Sequence, residues 1–276
     1  MSLWLKISVS MDDTEFHGPQ LKRALLERLR FEQAMGIEVV RPVEFELPTP
    51  QMTEPVAVIA TINSATISQP ALSEPDPVTP GRDAHATTSA DKEARWKDLE
   101  ARAMSCTQCV LHKSRTHVVF GTGNRSAQLV FVGEGPGEDE DRQGEPFVGR
   151  SGQLLNRIMV AMKWKREEIY ICNVVKCRPP DNRTPLPDEV AACNPFLTEQ
   201  LELIAPKVIV TLGGPAAKTL LKTTQGIMSL RGKWYSYRGI PVMPTYHPAF
   251  LLRSYTEENR RAVWEDMKQV ADRLKT

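Results

Sequence analysis

Apolar residues gather in four short runs in the second half of the chain, over 128–133, 169–175, 208–213 and 240–245. Each run is short, and turn residues bound it, so each is expected to be a strand buried on both faces. Between and after the runs, apolar positions return at helical spacing over 153–163, 188–204, 215–222 and 256–274. Strand and helix alternate with crossovers of helix length. The pattern predicts an α/β fold, a three-layer α/β/α arrangement around a central four-stranded, mainly parallel sheet.

The first third reads differently. Leu21, Leu25, Leu26 and Leu29 sit at helical spacing within 18–35, ahead of Gly36. That helix reads as a docking or partner helix of no catalytic consequence, with a protein partner as one possible use. From residue 48 to 90 the composition turns to Pro, Thr, Ser and Ala, as in a disordered linker. A further helix is expected over 91–104. The chain thus divides into a helical segment of unassigned role (1–47), a linker (48–90) and the α/β domain (91–276). The first two are expected to be dispensable for the work of the third.

Bulk properties narrow the classes. The 276 residues carry a formal net charge of +1, so any nucleic-acid contact must come from a local basic face. No apolar run approaches the roughly 20 residues needed to cross a bilayer. The N-terminus lacks the apolar core of a signal peptide, so a cytoplasmic protein is expected, without a membrane partner. Thiols stay reduced there, and five cysteines raise the question of a metal. Cys106 and Cys109 form a CxxC pair, and Cys177 and Cys193 follow far along the chain. Zinc ribbons need a second close pair, whereas an iron–sulfur cubane accepts distant ligands at its separate corners. Unrelated core thiols are the alternative. Cys172, inside an apolar run, reads as a small buried hydrophobe.

The most informative stretch joins the first strand to the next helix. It runs from Gly133 to Gly152, rich in glycine and acid, with one aromatic, Phe147. Loops at the carboxyl ends of parallel strands are where open α/β sheets build sites. Asn173 ends the second strand run, a fixed amide able to read a nucleobase edge or to cap a turn. His247 opens HPAFLLR, read here as a loop. Leu251 and Leu252 are either wedges for a base stack or packing for the last helix.

Three motifs in order resemble the uracil-DNA glycosylase superfamily, and more closely its family 4, the iron–sulfur enzymes of bacteria and archaea. They are GEGPG with PFVGRSGQLL (133–137 and 146–155), NVVKCRPP (173–180) and HPAFLLR (247–253). The cysteine spacing is similar too, and the resemblance spans about 106–273. It implies an enzyme that flips uracil from DNA and hydrolyses its glycosidic bond, leaving an abasic site for base excision repair. Phe147 would stack on the base, Asn173 would read its edge, and Glu140 would refuse the thymine methyl. His247 would stabilise the departing uracil, with Glu134 and the Gly135 backbone placing water. Leu251 and Leu252 would wedge the stack, and Arg253 would meet phosphate. Cys106, Cys109, Cys177 and Cys193 would hold a [4Fe-4S] cluster, as a structural staple. A monomer is expected. An iron–sulfur nucleotide-binding or redox module without glycosylase activity stays open as the alternative.

Overall fold

The computed structural model describes residues 89–275 and, nearer the N-terminus, residues 25, 26, 28–33 and 35. Residues 1–39 and 89–276 form one compact unit, while the other unit, Val40–Thr88, lies outside the described residues. Most of the expected linker therefore lies outside them also. Its last two residues, 89 and 90, already belong to a helix.

Six strands make one mixed sheet in the order β1-β3-β2-β4-β6-β5. The expected parallel strands are its centre: β2 (Leu129–Gly133), β3 (Tyr170–Asn173), β4 (Val208–Leu212) and β6 (Ile240–Thr245). Two edges were not foreseen. β1 (Thr122–Gly123) runs antiparallel on β3, and β5 (Tyr235–Tyr237) antiparallel on β6. Both are short and half exposed, so neither leaves an apolar run in the sequence.

The helices are α1 (Ser89–Met104), α2 (Glu138–Gln143), α3 (Arg150–Ala161), α4 (Pro187–Ile204), α5 (Gly214–Leu221), α6 (Ile227–Leu230), α7 (Pro248–Arg253) and α8 (Glu257–Lys275). The sheet's two faces bury two separate core layers. Val130, Val132, Cys172 and Ile209 pack with Trp96 and Leu99 of α1 and Leu197 and Leu201 of α4. Leu129, Phe131, Ile171 and Val210 pack with Leu155 and Ile158 of α3 and Val263 and Met267 of α8. Alternate residues of one strand thus serve opposite layers, which is why the runs are apolar without a break.

The N-terminal helical residues belong to the second layer. Phe31 and Met35 are 1% and 2% exposed. The Phe31 ring lies 4.7 Å from that of Trp264 on α8. Arg28 pairs with Glu257 at 2.9 Å, and Arg260 with Glu32 at 3.2 Å. The Tyr255 hydroxyl donates to the Met35 carbonyl. Leu25 and Leu26, counted in the apolar stripe, are exposed instead. The described residues of this segment thus dock on the chain's own last helix and the turn before it.

Phe31→Ala should therefore lower the unfolding free energy by about 3 kcal/mol, as for a core aromatic. Urea unfolding of the full chain measures this, and an unchanged midpoint would contradict the docking.

Candidate active site

The parallel strands deliver their carboxyl ends to one edge, and a cavity of about 670 Å³, open to solvent, lies there. Its walls include Glu134 after β2, Phe147 in the following loop, Asn173 ending β3, and His247 after β6. The expected base-contacting residues are thus brought together. The Phe147 and His247 rings lie 5.7 Å apart and tilt by 33°.

Missing side chains make this convergence possible. Gly133 and Asn173 are paired across the sheet. A Cβ on Gly133 would run into Asn173 Oδ1 and stand 2.6 Å from Phe147 Cζ. Gly152, in the first turn of α3, receives the Phe147 carbonyl where a Cβ would be. Phe147 itself has φ of 55°, a left-handed backbone that a bulky residue adopts only under constraint. Gly213 has φ of +89°, and a Cβ there would press on His247 Cβ at 3.0 Å.

The acidic run divides into distinct tasks. Glu140 Oε1 accepts from the N–H groups of Val148 (3.0 Å) and Gly149 (2.9 Å), while Oε2 accepts from Gly137 N–H (3.1 Å). Its carboxylate holds the two ends of the Phe147 loop. Buried Asp141 accepts from Thr116 N–H at 2.9 Å and anchors the same loop below. Glu134 faces the cavity, where burial raises its carboxyl above the ordinary range and a hydrogen bond from Thr184 partly offsets that. Gly135 is packed under the next loop, since a Cβ would meet Val175 Cγ2 at 2.8 Å. No side-chain acid fits there.

Asn173 is 1% exposed, and its Oδ1 has no hydrogen-bond partner. Such an oxygen carries the full cost of desolvation until a donor reaches it. His247 is the N-cap of α7, with Pro248 at the first helical position. Its Nδ1 accepts from Ala249 N–H at 3.0 Å, which puts the proton of the neutral ring on Nε2. Burial, and then the nearby Arg253 charge, push this imidazole down to about 4. The site therefore holds a neutral ring with one N–H to donate.

A second, small pocket is lined by Cys106, Cys109, Cys177 and Cys193 together. They come from the turn after α1, the β3–α4 loop and α4. Arg115 Nη1 donates to Cys177 Sγ (3.1 Å), and the Lys176 N–H to Cys193 Sγ (3.2 Å). Burial first, and the other thiols in smaller measure, push Cys109, Cys177 and Cys193 up, the last to about 11. Among the described residues, no group of three or more His, Cys, Asp or Glu could hold a single metal ion. Cys172 stands apart, fully buried in one core layer.

The sequence profile of the Uracil DNA glycosylase superfamily matches residues 120–268. The type-4 uracil-DNA glycosylase of Thermotoga maritima is 47% identical over 186 residues, 67% of this chain and 97% of that protein. The type-4 enzyme of Archaeoglobus fulgidus is 43% identical over 63% of this chain and 91% of its own length. That of Sulfurisphaera tokodaii is 42% identical, covering 63% and 82%.

The chain belongs to the uracil DNA glycosylase superfamily.

Two expectations need correction, the loop reading of HPAFLLR and the wedge role of Leu251. HPAFLLR is not a loop but the short helix α7, because His247 caps it and Pro248 starts it. Helical rotation then sends the two leucines apart. Leu251 is fully buried in the second core layer and cannot wedge DNA, while Leu252 is 39% exposed. Glu140 lines the cavity, and its oxygens accept from backbone N–H groups.

The residues that the sequence did not single out are polar ones beside known motifs. Arg150 and Arg183 join Arg253 at the cavity. Arg183 is fixed by a two-pronged pair with buried Glu189, at 2.8 and 2.6 Å, and so holds the loop that brings Thr184 to Glu134. The signal for this was the RTP stretch between two motifs, which alone says only "turn".

Proposed function

We propose that the protein removes uracil from DNA by hydrolysing its N-glycosidic bond, leaving an abasic site. One observation carries the assignment of the pocket: the buried, unpartnered Oδ1 of Asn173 beside the Phe147 ring. A flipped pyrimidine with an N3–H would satisfy that oxygen, and its O4 would accept from the Asn173 amide nitrogen. Cytosine presents the opposite pattern at those atoms and would leave the amide mispaired. Phe147 supplies the stacking face, a contact of about 1–3 kcal/mol.

The chain's residues then divide the reaction. Arg150, Arg183 and Arg253 meet backbone phosphates, and Leu252 enters the space left by the base. As the bond from C1′ to N1 breaks, its electron pair leaves with uracil and charge gathers on O2. The Nε2–H of neutral His247 donates to that oxygen, so the leaving anion is stabilised without a cationic partner. Positive charge on the sugar faces Glu134. A water held by Glu134 and the Gly135 backbone adds its oxygen to C1′, and its proton ends on uracil. Glu140, held at the cavity wall by the N–H groups of Gly137, Val148 and Gly149, would stand where the thymine methyl would come.

Cys106, Cys109, Cys177 and Cys193 are the residues that would hold a [4Fe-4S] cluster. Four thiols around one void, two receiving N–H donors, are a donor set suited to such a cluster. When bound, the group would cross-link three segments and supply no step of the hydrolysis.

Purified protein should convert a uracil-containing oligonucleotide to an alkali-labile product. Asn173→Ala should lower kcat/KM by about 10- to 100-fold, the cost of one lost buried recognition bond; equal activity would defeat the pocket assignment.

Glu134 must be ionised, and burial raises its pKa, so activity should rise with pH through a point above the usual carboxylate range of about 4. His247 stays neutral over that window. Glu134→Gln should lower the plateau and remove this acid limb; a limb that persists unmoved assigns it elsewhere.

The purified protein should be brown and contain iron, with the colour lost in Cys177→Ala. A colourless protein with stoichiometric zinc would overturn the cluster reading.

A further inference from the structure

Lys176 lines the cysteine pocket and hydrogen-bonds the backbone of Asn173, a wall residue of the base pocket. Lys176 is 2% exposed, among the most deeply buried charged side chains described. Its Nζ donates to the Asn173 carbonyl oxygen at 2.8 Å and to Gln200 Oε1 at 2.6 Å. Its own N–H donates to Cys193 Sγ at 3.2 Å, and its carbonyl accepts from Val119 N–H at 2.8 Å. Gln200 is also fully buried, and its Nε2 donates to the Phe120 carbonyl and the Tyr170 hydroxyl, each at 3.0 Å.

The interior could have been filled with far less desolvation by a methionine or leucine, so packing alone does not call for an amine here. The amine grips the backbone of the last residue of β3, whose side chain projects into the cavity as an amide with an orphan oxygen. At the other end of the same residue, the peptide N–H rests on a thiol of the cysteine pocket. A buried polar network whose groups hold one another by short hydrogen bonds restricts the arrangements open to it, and so positions what it holds.

We propose that Lys176 is a positioning residue for Asn173, fixing the end of β3 from which the amide reads the base, with the cysteine pocket setting its seat. It touches no substrate. Gln200 is the second hand of the same device, holding the amine so that it points at the Asn173 carbonyl. The inference rests on Asn173 being the base reader, as proposed above.

The test uses the full chain and three variants: Lys176→Met, Gln200→Met and Asn173→Ala. Three quantities are read for each: inhibition of excision by free uracil, affinity for a uracil-free oligonucleotide, and bound iron. Lys176→Met should weaken both free-uracil inhibition and excision by about 10-fold, the scale of one lost hydrogen bond to a charged group. Its iron content and its affinity for the uracil-free oligonucleotide should match the parent. Gln200→Met should shift in the same direction by less. A merely structural role would move the three quantities together.

Unchanged uracil inhibition in Lys176→Met with iron retained overturns the proposal. So does loss of activity in step with iron, which would confine Lys176 to the cysteine pocket. If Lys176→Met does not fold, Gln200→Met decides on the same readings. If Asn173→Ala leaves uracil inhibition untouched, the base-reading assignment falls and this inference with it. If Asn173→Ala weakens it and Lys176→Met does not, only this inference falls.

Discussion

The site depends on a close approach across the carboxyl ends of β2 and β3. Gly133 and Asn173 are register partners, and the missing side chain at Gly133 is what lets the Asn173 amide and the Phe147 ring share one space. The parallel sheet supplies the coincidence of strand ends. The glycines supply room, at Gly152 for the Phe147 carbonyl and at Gly213 for His247. Phe147 pays with a left-handed backbone, and Glu140 and Asp141 hold the loop that keeps it there. Glu140 and Asp141 of this loop are therefore scaffold, while Glu134 faces the cavity.

The second organising feature is the cysteine pocket. Its four thiols come from the turn after α1, the loop after β3 and the middle of α4, segments remote in sequence. A cross-link there, once formed, would hold the helical layer against the same strand end that carries Asn173. The loop after β3 runs from Cys177 to Arg183 and Thr184, and the Arg183–Glu189 pair closes it onto α4. Through Lys176, the Asn173 backbone and the Cys193 thiol are tied to the start of this loop.

Much of this could be read from the chain. The central strands announced themselves because both faces are buried, and the motifs marked the residues that converge on the cavity. What escaped had a physical reason each time. β1 and β5 are edge strands too short and too exposed to make a pattern. Leu251 and Leu252 are neighbours with opposite fates, and only the helix begun by His247 and Pro248 separates them. Glu140 lies in a run of acids whose hydrogen bonds run to backbone eight and nine residues on, which composition does not reveal. Lys176 is a charge inside a motif, and nothing in the sequence around it marks it as the buried residue it is. Phe31 and Met35 were visible as helix but not as core, because their partners on α8 lie at the other end of the chain.

The most direct test of the shared pocket is a crystal structure of the full protein with free uracil. The account predicts the ring stacked on Phe147, its N3 and O4 edge on the Asn173 amide, and O2 facing His247 Nε2. Uracil bound away from these three side chains, or turned so that O2 meets Asn173 in place of that edge, would contradict it.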